Sequence, residues 1–222
     1  MDILCYTEEK YLGGRMFFYQ PIQLKNGQKC ILRNAEASDA VRHHAYFVQT
    51  HKETDFLLTY PDECTQDILS LERQLKETKC SGTDVEICAF VDGKLAGSAG
   101  NSLIRNCDKM RHRAEFGISI KKEYWGLGIG DALTKYCIEC AKKAGFLQLE
   151  LEVVSENKSA IHLYKKHGFV EYGRNPRGFR CRDGHWQELI LMRLELTELF
   201  ERGILLAEKQ EGEHEKALSA FL

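Results

Sequence analysis

The chain has 222 residues, enough for one domain with a full core, and its formal net charge of −2 offers no broad surface for nucleic acid. No apolar run is long enough to span a membrane, and the start carries no secretory pattern. Nine cysteines, an odd number without a small-domain framework, fit reduced thiols in a cytoplasm.

Residues 1–20 are mixed and aromatic-rich, with Met16, Phe17, Phe18 and Tyr19 able to pack on a domain. Residues 22–33 read as two strands around Asn26-Gly27, a strong hairpin signal. A helix is expected from about residue 38, with Val41, Ala45 and Val48 inward, and another over 65–79, using Ile68, Leu71 and Leu75. Residues 85–91 and 94–104 form a second hairpin through Asp92-Gly93. After a turn around 106–109 comes a strand over 113–120. Along it Ala114, Phe116, Ile118 and Ile120 face one way, and Glu115, Gly117 and Ser119 the other.

The turn Trp125-Gly126-Leu127-Gly128-Ile129-Gly130, with Asp131 after it, lies between that strand and a helix. Unpaired N–H groups and the positive helix end can hold a phosphate there, and glycines let the backbone come close. Ile129, Ala132, Leu133, Tyr136, Cys137, Cys140, Ala141 and Ala144 give the helix one apolar face, and Gly145 stops it. Cys137-x-x-Cys140 falls on that face and no second pair has ligand spacing, so core packing is expected and no metal. Leu147, Leu149, Leu151 and Val153 then alternate with polar residues as a strand. A right-handed crossover makes it parallel to the strand over 113–120. Next, Asn157, Ala160, Ile161 and Tyr164 share a face of a short helix ending before Gly168, with Asn157 and Tyr164 on the order of 10 Å apart along its axis. The sequon at Asn157 means nothing without a secretion signal. Residues 169–181 and 185–196 pair through Asp183-Gly184, and a helical tail from Thr197 carries Leu199, Phe200, Ile204, Leu205 and Leu206.

The phosphate turn, the run N-x-x-A-I-x-L-Y-x-x-x-G-F from Asn157 to Phe169, and their spacing resemble the acetyl-CoA-binding core of the GNAT N-acetyltransferases. Arg113-Ala114-Glu115-Phe116 and Asp183-Gly184-His185-Trp186-Gln187 are similar to the branch containing spermidine acetyltransferases. The resemblance covers about residues 30–195 of a single N-acetyltransferase domain over 1–222, with an N-terminal extension (1–20) and a C-terminal tail (197–222). It implies an α/β (α+β) fold: a mixed, mostly antiparallel sheet with helices on both faces and a central parallel pair splayed into a V. The strand side of that V is Ile118-Ser119-Ile120, where the pantetheine arm would pair.

The same resemblance implies acetyl-CoA as co-substrate. The pyrophosphate would lie on the turn from Trp125 to Asp131, and Asn157, Ala160 and Tyr164 would add contacts. Tyr164 would be the general acid for the coenzyme A sulfur, since a phenol near pKa ~10 is protonated at neutral pH. Glu115 would be a base, through water, or an anchor for the ammonium, against the alternative of a strand glutamate paired with Arg113. The N–H near Ile118 would be the oxyanion donor. Trp125 departs from the Arg or Gln usual at its position and removes one side-chain contact. The expected reaction is acetyl transfer to a primary amine (a polyamine, an amino acid or a peptide) by direct attack in a ternary complex, with no nucleophilic cysteine. The other reading is a catalytically silent acyl-CoA sensor. A Rossmann nucleotide site is excluded because no G-x-G-x-x-G opens a first strand–helix unit. Partners are acetyl-CoA and a small amine, with no nucleic acid and no membrane; family grounds allow a homodimer. Substrate choice is expected in residues 38–83 and the hairpin over 178–186. Glu53, Asp55, Asp62, Glu63 and Asp67 would suit a polycation, or simply form a solvated face.

Overall fold

A computed structural model describes residues 10–12 and 15–196. Two short strands, β1 (Lys10–Leu12) and β2 (Arg15–Phe17), pair with each other. The Asn26-Gly27 turn joins β3 (Tyr19–Gln23) to β4 (Lys29–Asn34). Helices α1 (Ala40–Glu53) and α2 (Ile68–Cys80) precede the hairpin of β5 (Val85–Val91) and β6 (Lys94–Leu103). Then come β7 (Arg113–Ile120), α3 (Ile129–Lys143), β8 (Gln148–Val154), α4 (Lys158–Lys166), β9 (Val170–Arg180) and β10 (Trp186–Glu195).

The main sheet has eight strands in the order β3-β4-β5-β6-β7-β8-β10-β9, and only β7 and β8 run parallel. This is the expected mixed sheet. Its two faces have separate cores. Residues alternate along β5, so Val85, Ile87, Ala89 and Val91 pack toward α3, with Leu133, Cys137 and Ala141 among their neighbours. Cys88 and Phe90 of the same strand pack toward Tyr46 of α1 and Leu71 and Leu75 of α2. Cys137 and Cys140 are both buried in the α3 core, and burial pushes the Cys137 thiol well up.

Three expectations shift. In α1 the buried residues are Ala40, Tyr46, Thr50 and His51, and Val48 is half-buried, while Val41 is 67% exposed and Ala45 also faces solvent. Tyr46 has the larger surface to bury and finds partners for its hydroxyl, so it sets the phase of the helix. Helix α2 begins at Ile68 rather than 65, because the Asp67 carboxylate caps it by accepting the Ser70 N–H at 3.0 Å. Near the start, Phe18 is buried but Phe17 and Tyr19 are exposed, and the Met16 side chain lies outside the described residues. The tail from Thr197, with Leu199, Phe200, Ile204, Leu205 and Leu206, also lies outside them. Among the described residues no helix is long and apolar enough to cross a membrane.

Candidate active site

The first element is the turn before α3. Gly126 (φ 76°) and Gly128 (φ 97°) hold it in left-handed conformations that other residues adopt at a cost. Among the described residues nothing accepts from the N–H groups of Gly128, Ile129, Gly130 or Asp131; the Ala132 N–H, one position on, already bonds the Gly128 carbonyl at 3.1 Å. Four donors at a positive helix end form a cradle for an anion. Gly130 packs so close to Ile120 and Leu163 that a Cβ would meet their methyl carbons at 3.1 and 3.3 Å.

Trp125 and Asp131 contribute differently from the glycines. The Trp125 N–H donates to the Lys122 carbonyl at 3.1 Å, and its indole N–H donates back to the Ile120 carbonyl at 2.7 Å. Trp125 therefore closes the turn rather than pointing a donor into it. The Asp131 carboxylate pairs with Lys166 at 2.6 Å and His167 at 2.9 Å, tying the start of α3 to the end of α4. The Lys166 hydrogen bond, with help from His167, holds this carboxyl below its usual range. Lys25 was not among the expected residues. Its N–H donates to the Leu127 carbonyl at 3.1 Å and its stem lies 4.0 Å from where a Gly128 Cβ would be. Only the packing of the β3–β4 hairpin against the turn brings this cation there.

The second element is a fork in the sheet. The β7–β8 ladder holds for three pairs, Arg113↔Gln148, Ala114↔Leu149 and Glu115↔Glu150, and then ends. On the other side β7 stays paired with β6 up to Gly97↔Ile120. The Lys121 N–H reaches the Ala96 carbonyl at 2.9 Å, and the Ser119 carbonyl also points to the β6 side. By alternation, the backbone groups of Ile118 and the N–H of Ile120 face the open fork, the Ile120 carbonyl being taken by the Trp125 indole. Strand β7 thus has an edge, open at Ile118 and at the Ile120 N–H, that leads from Glu115 to the anion cradle.

The third element is α4. The Asn157 side-chain oxygen accepts from the Ala160 N–H at 3.2 Å and from the Ser159 hydroxyl at 3.1 Å, so this asparagine caps the helix. Ala160 is half-buried on the same face. Tyr164 packs edge-on to Phe116 at 6.1 Å between ring centres and against Phe169 at 5.9 Å, which places it beside the fork. Burial pushes its phenol above the ordinary range, and its hydroxyl has no hydrogen-bond partner among the described residues.

On the opposite face, a cleft of about 900 Å³ lies between α1, α2 and strands β5–β7. Glu115 opens into it, exposed. It is not consumed by Arg113, which makes a two-pronged pair with the buried Glu150, one prong at 2.6 Å. Glu86, Gly100 and Gly117 stand in cross-strand register, so two glycines floor the cleft. One Glu86 oxygen accepts from the Ser98 hydroxyl and contacts His43 Nε2 at 3.3 Å. No lysine or arginine lines this cleft among the described residues. The sequence reading missed Glu86 and His43. A lone charge in the apolar run Val85–Val91 was the available signal for Glu86. Together with Cys88 they bring possible ligand atoms within 4.8 Å of one another, but burial pushes the Cys88 thiol well up, away from the thiolate a metal takes.

The acidic concentration between α1 and α2 is largely tied into the fold. Arg182 pairs with Asp62 at 2.9 Å and Glu63 at 3.6 Å while lying over the Tyr60 ring, so the β9–β10 hairpin is fastened to this segment. Glu53 accepts the Lys122 N–H at 2.7 Å, and Asp67 caps α2.

The model of the acetyltransferase (GNAT) family matches residues 46–169. An acetyltransferase of that family from Streptococcus pneumoniae has a similar structure, with a TM-score of 0.72 and 32% identity over 75% of this chain and 99% of that one. A Salmonella typhimurium structure, described as a putative acetyltransferase with its cofactor acetyl-CoA, is alike in fold, with a TM-score of 0.68 and 21% identity over 76% of this chain and 95% of that one. An L-amino acid N-acetyltransferase of Escherichia coli is 28% identical over 108 residues, 48% of this chain and 65% of that protein. The chain spans 37% to 65% of the length of the first curated relatives it matches. With a forked sheet, an anion cradle at its open edge and a family match over residues 46–169, this chain belongs to the GNAT acetyltransferase family.

Proposed function

We propose that the protein transfers an acetyl group from acetyl-CoA to a primary amine by direct attack within a ternary complex. One observation carries the reading: the open edge of β7 runs from the four unpaired amides at residues 128–131 to Glu115 in the cleft. The residues present fit acetyl-CoA. The cradle suits a pyrophosphate, Lys25 adds a cation beside it, and Ile118 and the Ile120 N–H offer backbone groups to an amide-bearing arm. Acetyl-CoA supplies an activated thioester; this chain's residues hold and orient it and manage protons. Asn157 and Ala160 would line the arm's far side.

An alkyl amine with pKa near ~10.4 arrives as an ammonium and attacks only when neutral. Glu115 draws the cation in and takes its proton, directly or through water, while the Ile118 N–H donates to the carbonyl oxygen as charge builds there. As the amine nitrogen bonds the carbonyl carbon and the C–S bond breaks, Tyr164 gives its proton to the departing thiolate. Burial keeps that phenol protonated well beyond neutral pH, so the acid is loaded whenever the amine is ready.

The acceptor is an amine without a carboxylate of its own. Glu86 and Glu115 favour a cation, and the described lining offers no lysine or arginine to a substrate carboxylate. The test is thiol release from acetyl-CoA against aliphatic amines, amino acids and peptides. Release that rises with aliphatic amines is the expected result, and a preference for free amino acids would reject this acceptor class. If no amine raises the rate while acetyl-CoA still protects the fold against heat, the chain is an acyl-CoA sensor instead.

A further inference from the structure

We propose that Glu86 is a specificity-determining residue that makes the acceptor a diamine: the reacting nitrogen meets Glu115, and a second nitrogen, an ammonium, meets Glu86 across the cleft floor. Glu86 is the one charged residue of β5, and its side chain leans over β6. Gly100, its register partner, shows the lean: a Cβ built there would lie 2.8 Å from Glu86 Oε2 and 2.6 Å from the Val85 carbonyl oxygen. At Gly117, the next residue across the sheet, a Cβ would meet nothing within 4 Å. Two missing side chains leave a trough from Glu86 over β6 to β7, which carries Glu115 on the same face. Two strand spacings across and two residues along put the Glu86 and Glu115 Cα atoms about 12 Å apart, a span that two glutamate side chains and a short diamine bridge.

The two oxygens of Glu86 are unequally served. Oε1 accepts the Ser98 hydroxyl and contacts His43 Nε2 at 3.3 Å, which fixes the carboxylate between β6 and α1. Oε2, the oxygen above Gly100, has no donor among the described residues. A half-buried carboxylate oxygen without a donor costs free energy that a charge-assisted hydrogen bond from an ammonium recovers. With no lysine or arginine in the described lining, that cation has to arrive with the substrate. Of the other acids there, Asp84 accepts the Leu103 N–H at 3.0 Å and Glu77 stands on the exposed rim. The glycine floor offers no side-chain donor or acceptor, so an alkyl chain suits the space between. Acetylation turns the reacting nitrogen into a neutral amide. A product turned end for end would bring that amide to Glu86 in place of an ammonium, so the reaction stops at the monoacetyl diamine.

The role of Glu86 rests on acetyl transfer beside Glu115, and butylamine, aminobutanol and diaminobutane, one chain length with three different ends, tell the two apart. Thiol release from acetyl-CoA is measured with each amine on the wild type and on Glu86→Gln. For the wild type, kcat/KM for diaminobutane is expected to exceed that for the other two by at least about tenfold, through KM rather than kcat. Doubling is what two equivalent nitrogens give by count alone, so a preference no larger than that overturns the diamine. Glu86→Gln is expected to erase the preference by raising KM for diaminobutane at least about tenfold. A kcat that falls alike for all three amines would place Glu86 in proton transfer and overturn its role in selection. The wild-type series stands whether or not the variant folds: aminobutanol used as well as diaminobutane overturns the second ammonium. Mass spectrometry is expected to show monoacetyl diamine accumulating until the diamine is spent, and diacetyl product formed at a like rate overturns the Glu86 contact. If butylamine releases thiol without any preference for diaminobutane, only the role of Glu86 falls; if none of the three does, acetyl transfer falls with it.

Discussion

Tyr164 and Glu115 lie on opposite sides of β7, and alternation along one strand explains how. Phe116, which carries Tyr164 against it, faces the α3–α4 side, and Glu115 faces the cleft. Replacing Tyr164 by Phe keeps the ring packing and removes only the proton donor. Turnover should fall about 100-fold with the Kd of acetyl-CoA nearly unchanged; unaltered turnover would remove Tyr164 from the mechanism. For Glu115→Gln, the split between constants tells base from anchor. A base loses about 100-fold in kcat, while an anchor raises the KM for the amine and leaves kcat alone. Both candidates could be named from the sequence because they sit inside motifs of fixed spacing. Glu86, His43 and Tyr46 could not, since each gains its meaning from a partner dozens of residues away.

At the level of the element, the turn before α3 tests the anion cradle. Adding a Cβ at Gly128 meets only the Lys25 stem at 4.0 Å, so Gly128→Ala causes no clash. The cost is conformational: at φ 97° an alanine is strained by about 1–2 kcal/mol. The variant should fold with a lower Tm and bind acetyl-CoA about tenfold more weakly, as isothermal titration would read. Unchanged affinity would move the phosphate away from this turn. The elements themselves were readable from period and punctuation: α3 ends where Gly145 follows Lys142 and Lys143, and the hairpins turn at Asn26-Gly27 and Asp92-Gly93. The phase of α1 was not readable. A weakly apolar helix can present more than one face, and the sheet beneath it chose Tyr46 and Thr50.

For the whole molecule, the joint between the sheet and the α1–α2 layer should be sensitive to acid. Asp39, just before α1, has a side chain 2% exposed and paired with Arg33 at 2.7 Å. Burial alone would raise its carboxyl, but hydrogen bonds from Arg33 and the Glu36 N–H outweigh it and the net shift is downward. A depressed carboxyl contributes its stability in full above its unfolded pKa of ~3.9 and loses it as pH falls through the folded value. Asp39→Asn should cost about 3 kcal/mol at neutral pH, because it leaves Arg33 half-buried without its charge partner. Urea titrations should show the difference between wild type and variant shrinking below about pH 4. A difference that holds constant into acid would reject the pair as its source.

The sequence by itself determined the strands of the main sheet, the helices, the glycine turn and the family resemblance, but not the β1–β2 pair. Each of these is written in local periodicity, in residues that tolerate special backbone angles, or in short motifs. Tertiary structure decided what stands opposite what. It ended the β7–β8 ladder after Glu115, placed Lys25 beside the turn, and absorbed Asp62 and Glu63 into a clasp with Arg182. It also brought the Tyr46 hydroxyl onto the Ser98 N–H and the Ser119 carbonyl of neighbouring strands. The reason is physical: a backbone pattern fixes which way a side chain faces, but only packing across the sheet fixes which buried polar groups must satisfy one another.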